Sequence, residues 1–264
     1  MQVSFLTWLE SWHLALILFV LMMTSIFIGL VSGRKYHKAS FLDSAILAGL
    51  FALLGLILAF DFGFSFNHFD NKREIIIEEA NDIGTTILRA DLYRDPDRKV
   101  LREDLKKYVD ARVKYFTMRK DEEKVKEAQE LSGTIQQQLW KKVSELSRDS
   151  CYLVASMQMT TALNNMIDIT NTGIYANYEH LPDEIIYLLI FLSCICTFYM
   201  GFISAGKEEF DWLMAGGACL VISLVVFVNF DLDRPRRGFI TLDKESNSIV
   251  DLKHMFPEQE TGVK

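Results

Sequence analysis

The chain has 264 residues, with 28 Lys and Arg against 35 Asp and Glu, a net charge of -7, and apolar side chains at 50% of positions. That acidic balance speaks against nucleic acid as a partner, and the four cysteines form neither a disulfide framework nor a zinc-ligand spacing. The apolar residues are gathered into long uncharged runs, which points to bilayer helices rather than to a water-soluble core.

The first run, Leu14 to Val31, carries no charge. No Lys or Arg precedes Arg34, so it lacks the basic start of a signal peptide and is expected to remain as a span. The second, Ala45 to Phe60, continues in apolar character through Phe62, Phe64 and Phe66, interrupted by Asp61. Ile185 to Ile203 and Trp212 to Phe230 are again free of charge. Runs of this length cross a ~30 Å hydrocarbon layer as helices, because only a helix pairs every backbone group within one segment. The expected organisation is all-α: spans one and two in residues 1–66, a helical extramembrane domain in 67–183, spans three and four in 184–231, and a tail in 232–264 that packs on that domain.

Between the second and third spans the pattern is helical throughout. Ile76, Ala80, Ile83 and Ile87 recur at three and four residues, continuous enough with the second span to predict one long rod. Asp95 and Pro96 read as N-cap and first residue of the next helix. That helix carries Leu101, Leu105, Tyr108, Arg112, Tyr115 and Phe116 on adjoining positions. A further helix from about Asp121 places Leu131, Ile135, Leu139, Val143 and Leu146 on one face. Another runs from near Cys151 toward Thr172, with Met157, Thr161 and Ile167.

Small residues recur at intervals of four within the spans: Ser193, Thr197, Gly201 and Ala205 in the third, and Gly55, Ala59 and Gly63 in the second, with Ala48 and Ala52 alongside. Such spacing lets helix backbones approach, either inside one subunit or between subunits. Asp61 is an intramembrane carboxylate, a type of residue that marks a polar pathway or a specific partner. It lies among Phe60, Phe62, Phe64 and Phe66; Phe60 and Phe64 share a face and suit an apolar constriction, or else an interfacial aromatic cluster. Beyond the span, Glu78, Asp82, Thr85 and Arg89, with Asn81 beside them, form one polar face opposite the isoleucine stripe. In a symmetric assembly that face would line an aqueous vestibule; alone it is a solvated surface. After the fourth span come Asp231, Asp233, Arg234, Arg236 and Arg237. They suit an ion-pair corner at the membrane exit, or contacts with anionic lipid headgroups. Glu78 and Glu79 lack further ligands at metal spacing, and no phosphate loop, nucleophile elbow or zinc-protease motif occurs. No catalytic residue, metal or cofactor is expected.

The stretch DNKREIIIEEANDIGTTILRAD (Asp70 to Asp91), YVDAR (Tyr108 to Arg112), NNMID (Asn164 to Asp168), His180-Leu181-Pro182 and DLDRPRRG (Asp231 to Gly238) together resemble the bacterial bestrophin-like membrane proteins. The resemblance spans nearly the whole chain after Phe41, in the same order. More distantly, it is similar to true bestrophins, which are ring-shaped, usually pentameric ion channels with a hydrophobic neck on the second membrane helix. It implies an inner-membrane homo-oligomer, pentamer favoured, in contact with lipid and inorganic ions. The large domain and both termini would then be cytoplasmic. By position it implies Phe60, Phe64 and Asp61 at a neck and the Glu78 to Arg89 face in a vestibule. The dense acidic calcium clasp of true bestrophins is missing from this sequence. The other reading is a non-conducting membrane scaffold or sensor whose helical domain binds a protein or ligand.

Overall fold

The computed structural model describes residues 10–36, 42–118, 121–178, 180–206, 210–235 and 238–256. Among these it is all-α. The helices are α1 (Ser11–Tyr36), α2 (Leu42–Ala90), α3 (Asp97–Thr117), α4 (Glu122–Leu146), α5 (Leu153–Ala176), α6 (Asp183–Ser204), α7 (Trp212–Asp233) and α8 (Asp243–Asp251). Short 3-10 turns, Ser150–Tyr152 and Leu252–Met255, precede α5 and follow α8. Four helices are long and apolar enough to span a bilayer: Ser11–Lys35, the α2 segment Ser44–Ala90, Asp183–Ser204 and Trp212–Asp233. The protein is an integral membrane protein of four spans with a helical extramembrane part.

The chain divides into two compact units. One comprises Met1–Phe69 and His180–Ile240, the other Asp70–Glu179 and Thr241–Lys264. Helix α2, 49 residues without a break, contributes to both. At 1.5 Å per residue it is about 70 Å long, more than twice what a bilayer requires. The rod expected from the sequence is therefore a single helix.

In the membrane unit, α1 presents Leu14, Leu18, Met22, Ile26 and Leu30, every fourth residue, to α6 and α7. These pack with Leu189, Leu192, Cys196, Cys219, Ile222, Val226 and Phe230, and with Leu54 and Leu58 of α2. The α1–α6 contact is a close backbone approach. A Cβ on Gly29 would lie 2.2 Å from the Phe198 carbonyl oxygen, one on Gly33 2.3 Å from that of Phe202, and one on Gly201 2.2 Å from that of Ile26. Ser193 and Thr197 are buried in the same seam, and Ser25 Oγ donates to the Cys194 carbonyl at 2.7 Å. The small-residue stripe of α6 is thus consumed inside one protomer. The matching Gly29-x-x-x-Gly33 on α1 went unread in the sequence, although it has the small-x-x-x-small spacing that permits such approach. The α2 stripe differs: a Cβ on Gly55 or Gly63 meets nothing within 4 Å among the described residues.

In the water-exposed unit, Ile83, Ile87 and Ala90 of α2 pack with Leu101, Leu105, Tyr108, Val109, Ile135, Leu139, Val143, Met159, Leu163 and Met166. Two sequence expectations shift. Helix α3 begins at Asp97 with Pro96 as its N-cap residue, one position later than read. On α4 and α5 the exposed residues Leu131 and Met157 leave the core stripe. At 100° per residue Leu131 lies about 75° from the mid-line of Ala128, Ile135, Leu139 and Val143, at the edge of the stripe, and on α5 Met159, Ala162, Leu163 and Met166 define the buried line instead. The N-cap at Asp121 holds as read, its carboxylate accepting from the Lys124 amide at 3.3 Å. The tail joins this unit: Leu252, Met255 and Phe256 pack on its core, and Lys253 Nζ pairs with Asp110 at 2.8 Å.

Candidate functional site

Helix α2 has two contrasting sides in the membrane unit. Leu54, Leu58, Asp61 and Ser65 are buried, whereas Phe60 and Phe64 are 70% and 52% exposed. The neck trio named from the sequence therefore divides. Phe60 and Phe64 stand together on an open face, and Asp61, next in sequence to Phe60, turns about 100° away from it. Asp61 Oδ2 accepts from Asn229 Nδ2 of α7 at 2.8 Å. The carboxylate thus acts as an interhelical link inside the protomer, where its placement in a low-dielectric bundle is offset by the amide donor. Asp61 Oδ1, Asn229 Oδ1 and Ser65 Oγ are buried there without a protein hydrogen-bond partner. Asn229 is the partner that sequence reasoning missed; a lone amide near the end of an apolar run was its only signal.

The exit cluster after α7 is a set of backbone anchors. Asp231, fully buried, accepts from the Phe239 amide at 3.1 Å and the Ile240 amide at 2.7 Å. This folds the chain back on itself, and Gly238 is required in the turn: a Cβ there would sit 2.6 Å from Asp231 Oδ1. Asp233, also buried, accepts from the Leu181 amide at 3.2 Å and lies near His68 Nδ1 at 3.7 Å and His180 Nδ1 at 3.6 Å. It ties the middle of α2 and the end of α7 to the segment entering α6. Arg234 stacks over the Phe230 ring with Cζ 4.1 Å from its centroid. Arg236 and Arg237 lie outside the described residues.

In the water-exposed unit, Glu78, Asn81 and Thr85 of α2 are exposed, and Asp82 and Arg89 are half-buried. Arg89 donates to Gln158 Oε1 of α5. One residue beyond Glu78, Glu79 turns inward and is 1% exposed. It forms a two-pronged pair with Arg112 of α3, through Nε and through Nη2, the latter at 2.9 Å. Arg112 also stacks on Tyr115 and Phe116, 4.2 and 5.2 Å from their ring centroids. Burial pulls the guanidinium pKa down, but the neighbouring Glu79 carboxylate outweighs it and raises the value overall, so Arg112 is permanently charged. Tyr108 adjoins this pair. Its Oη shares a 2.8 Å hydrogen bond with Thr170 Oγ1 and accepts from Gln136 Nε2 at 3.1 Å. Burial pushes its phenol up to about 12. No group of three or more His, Cys, Asp or Glu among the described residues is placed to hold a metal ion.

Comparison with known proteins gives one consistent picture. A family model described as "Bestrophin-like domain" matches residues 15–247. A crystal structure of a bacterial bestrophin homologue from Klebsiella pneumoniae superposes with a TM-score of 0.63 at 13% identity, covering 92% of this chain and 99% of that one. A point mutant of the Klebsiella pneumoniae homologue matches with a TM-score of 0.61 at 12% identity, over 90% and 98% of the two chains. A search of curated protein sequences returned no match.

Proposed function

The chain belongs to the bestrophin-like family, and from that premise we propose that it is a homo-oligomeric ion channel whose pore is formed by α2 helices around a common axis. The observation that carries this reading is the uncovered face of α2. Only 17% of its most apolar stretch is buried within the protomer, against 33% to 39% for the other three spans. A Cβ on its small residues Gly55 or Gly63 would meet nothing within 4 Å among the described residues. Without a hydrophobic drive between helices in lipid, a small-residue face of this kind is suited to another helix backbone. A pentamer is the favoured assembly, by likeness to true bestrophins.

On this reading Phe60 and Phe64 form the apolar neck, a ring that resists wetting until it widens. Positions 60 and 78 are about five turns apart on one continuous helix, so the neck face leads into the polar face of Glu78, Asn81, Asp82, Thr85 and Arg89. Those residues line the vestibule. Asp61 is left out of the neck and serves as the α2–α7 link, which removes it as a cation-selecting ring. Asp231, Asp233 and Arg234 hold the membrane-exit corner rather than a lipid site. The large domain and both termini face the cytoplasm of an inner membrane. The chain works by conducting ions, not by catalysis.

One observation favours the scaffold or sensor reading: Asp61, the one carboxylate in the apolar part of α2, is spent within the protomer. Ion flux through the purified protein in liposomes separates the two. With Na⁺, K⁺ and Cl⁻ gradients, wild type conducts, and Phe60→Ala with Phe64→Ala conducts about tenfold faster or more, the gain expected from removing an apolar barrier of ~1.4 kcal/mol. A wild type that conducts equally well with and without both phenylalanines removes them from the neck. A wild type and double variant that pass no ion under any gradient or voltage favour the scaffold.

A further inference from the structure

The polar contact between α2 and α7 leaves three buried oxygens without a hydrogen-bond partner among the described residues: Asp61 Oδ1, Asn229 Oδ1 and Ser65 Oγ. All three side chains are more than nine-tenths buried. Asp61 Oδ2 is already met, by Asn229 Nδ2 at 2.8 Å. The Asn229 oxygen can only accept, and so can Oδ1 of an ionised Asp61. The Ser65 hydroxyl, one turn along α2, gives or takes a hydrogen bond and so decides nothing. The contact therefore holds two acceptors for which no donor is supplied.

An ionised Asp61 would also be a buried charge without a counter-charge. No Lys, Arg or His among the described residues pairs with it, and the charge that acts on it, that of Asp233 on α7, has its own sign. Asp233 itself is met by the Leu181 amide, with His68 and His180 beside it, and Asp231 by the amides of Phe239 and Ile240. A water could donate to both orphaned acceptors, yet it would leave the charge in place. No group of three or more His, Cys, Asp or Glu among the described residues is placed to hold a metal ion. One proton meets both needs: it removes the charge and turns Asp61 Oδ1 into a donor for Asn229 Oδ1. We propose that Asp61 is a proton-binding site of the membrane unit, a neutral carboxylic acid joined to the Asn229 amide by two parallel hydrogen bonds. One runs from Nδ2 to Asp61 Oδ2 and the other from the Asp61 Oδ1 hydroxyl to Asn229 Oδ1. The link between α2 and α7 then depends on a dissociable proton, whose release restores the charge and leaves Asn229 Oδ1 unmet. The site stands apart from conduction: a protein that passes no ions binds the proton equally well.

Infrared spectroscopy of the full-length protein in lipid nanodiscs at neutral pH reads this state through the carbonyl stretch of a protonated carboxyl, which an ionised one lacks. The difference between wild type and Asp61→Asn shows the loss of one carboxylic-acid band, and that band shifts in heavy water. The replacement keeps the link, because an amide at position 61 again accepts from Asn229 Nδ2 and donates to Asn229 Oδ1. Asn229→Leu removes the acceptor and moves the Asp61 band to higher frequency. Should Asp61→Asn fail to fold, the shift in Asn229→Leu decides alone. A difference spectrum that loses carboxylate bands and no acid band overturns the proposal and leaves an ionised Asp61 with water. A band that Asn229→Leu leaves unmoved overturns the pairing. An acid band that emerges only when sodium and potassium are replaced by a bulky organic cation overturns the proposal too, by assigning the site to a metal ion.

Discussion

The two units of this protein are cohesive for different reasons. In the membrane unit the seam between α1 and α6 depends on the absence of side chains: Gly29, Gly33 and Gly201 each lie where a Cβ would strike a backbone carbonyl. In the water-exposed unit the seam among α2, α3 and α5 depends on side chains of maximal size and polarity, with Arg112, Tyr108 and Tyr115 among the largest fully buried groups. The contrast follows from the solvent. Lipid gives apolar helices no reason to separate from it, so spans associate through contact area and short interhelical bonds. Water drives apolar surfaces together over a broad area, and a buried ion pair is tolerated where its hydrogen bonds are met.

The largest effect should come from the membrane seam. Gly201→Val puts branched carbons into the Ile26 carbonyl and cannot be relieved by a side-chain rotation, so a loss of about 5 kcal/mol or more is expected, seen as aggregation on size exclusion in detergent. Gly55→Val, with open space around it in the protomer, should leave the subunit folded and alter only its assembly. If Gly201→Val remained monodisperse and as heat-stable as wild type, the account of the seam would be wrong.

The polar core comes next. Glu79→Leu or Arg112→Met alone strands a buried charge and should cost about 3–5 kcal/mol. The double replacement should cost much less than their sum, because neither charge is left behind. Additive losses in such a cycle, measured by chemical denaturation, would mean that the pair is not a coupled unit.

A smaller effect is confined to alkaline pH. The Tyr108 phenol is raised from 10.0 to about 12 by burial. The folded state therefore keeps a proton that the unfolded state releases. The resulting stability, roughly 2 to 3 kcal/mol, is fully present below pH about 10 and is lost as pH rises toward about 12. Tyr108→Phe should flatten the decline of stability across that interval. A decline equally steep in the variant assigns it to another group.

Much of the architecture could be read from residue order. Uncharged runs of sufficient length announce spans wherever they occur, and the Ile76 to Ile87 stripe marks its buried face because neighbours three and four apart share a side of a helix. The Asp121 cap was legible for a similar local reason: its partner, Lys124, is three residues away. Pairings between distant positions were not. Asp61 with Asn229 and Glu79 with Arg112 depend on which helices become neighbours, and Asp231 with the amides of Phe239 and Ile240 depends on how the chain turns back after α7. A carboxylate beside four phenylalanines therefore read as a neck residue, and Glu79 read with Glu78 as a carboxylate pair short of the ligands a metal would need.

Hydropathy and periodicity are properties of short windows of chain, and they were enough to establish four spans, a helical water-exposed part and a single rod shared between them. Which side of that rod each residue occupies is also periodic, but what meets it there is not. Folding placed Asp61 and Phe60, adjacent in the chain, in opposite settings because the α7 amide reached one side and the described residues leave the other mostly exposed. Partner choice across helices is decided by three-dimensional packing, where the free energy of a buried polar group depends on the one atom opposite it.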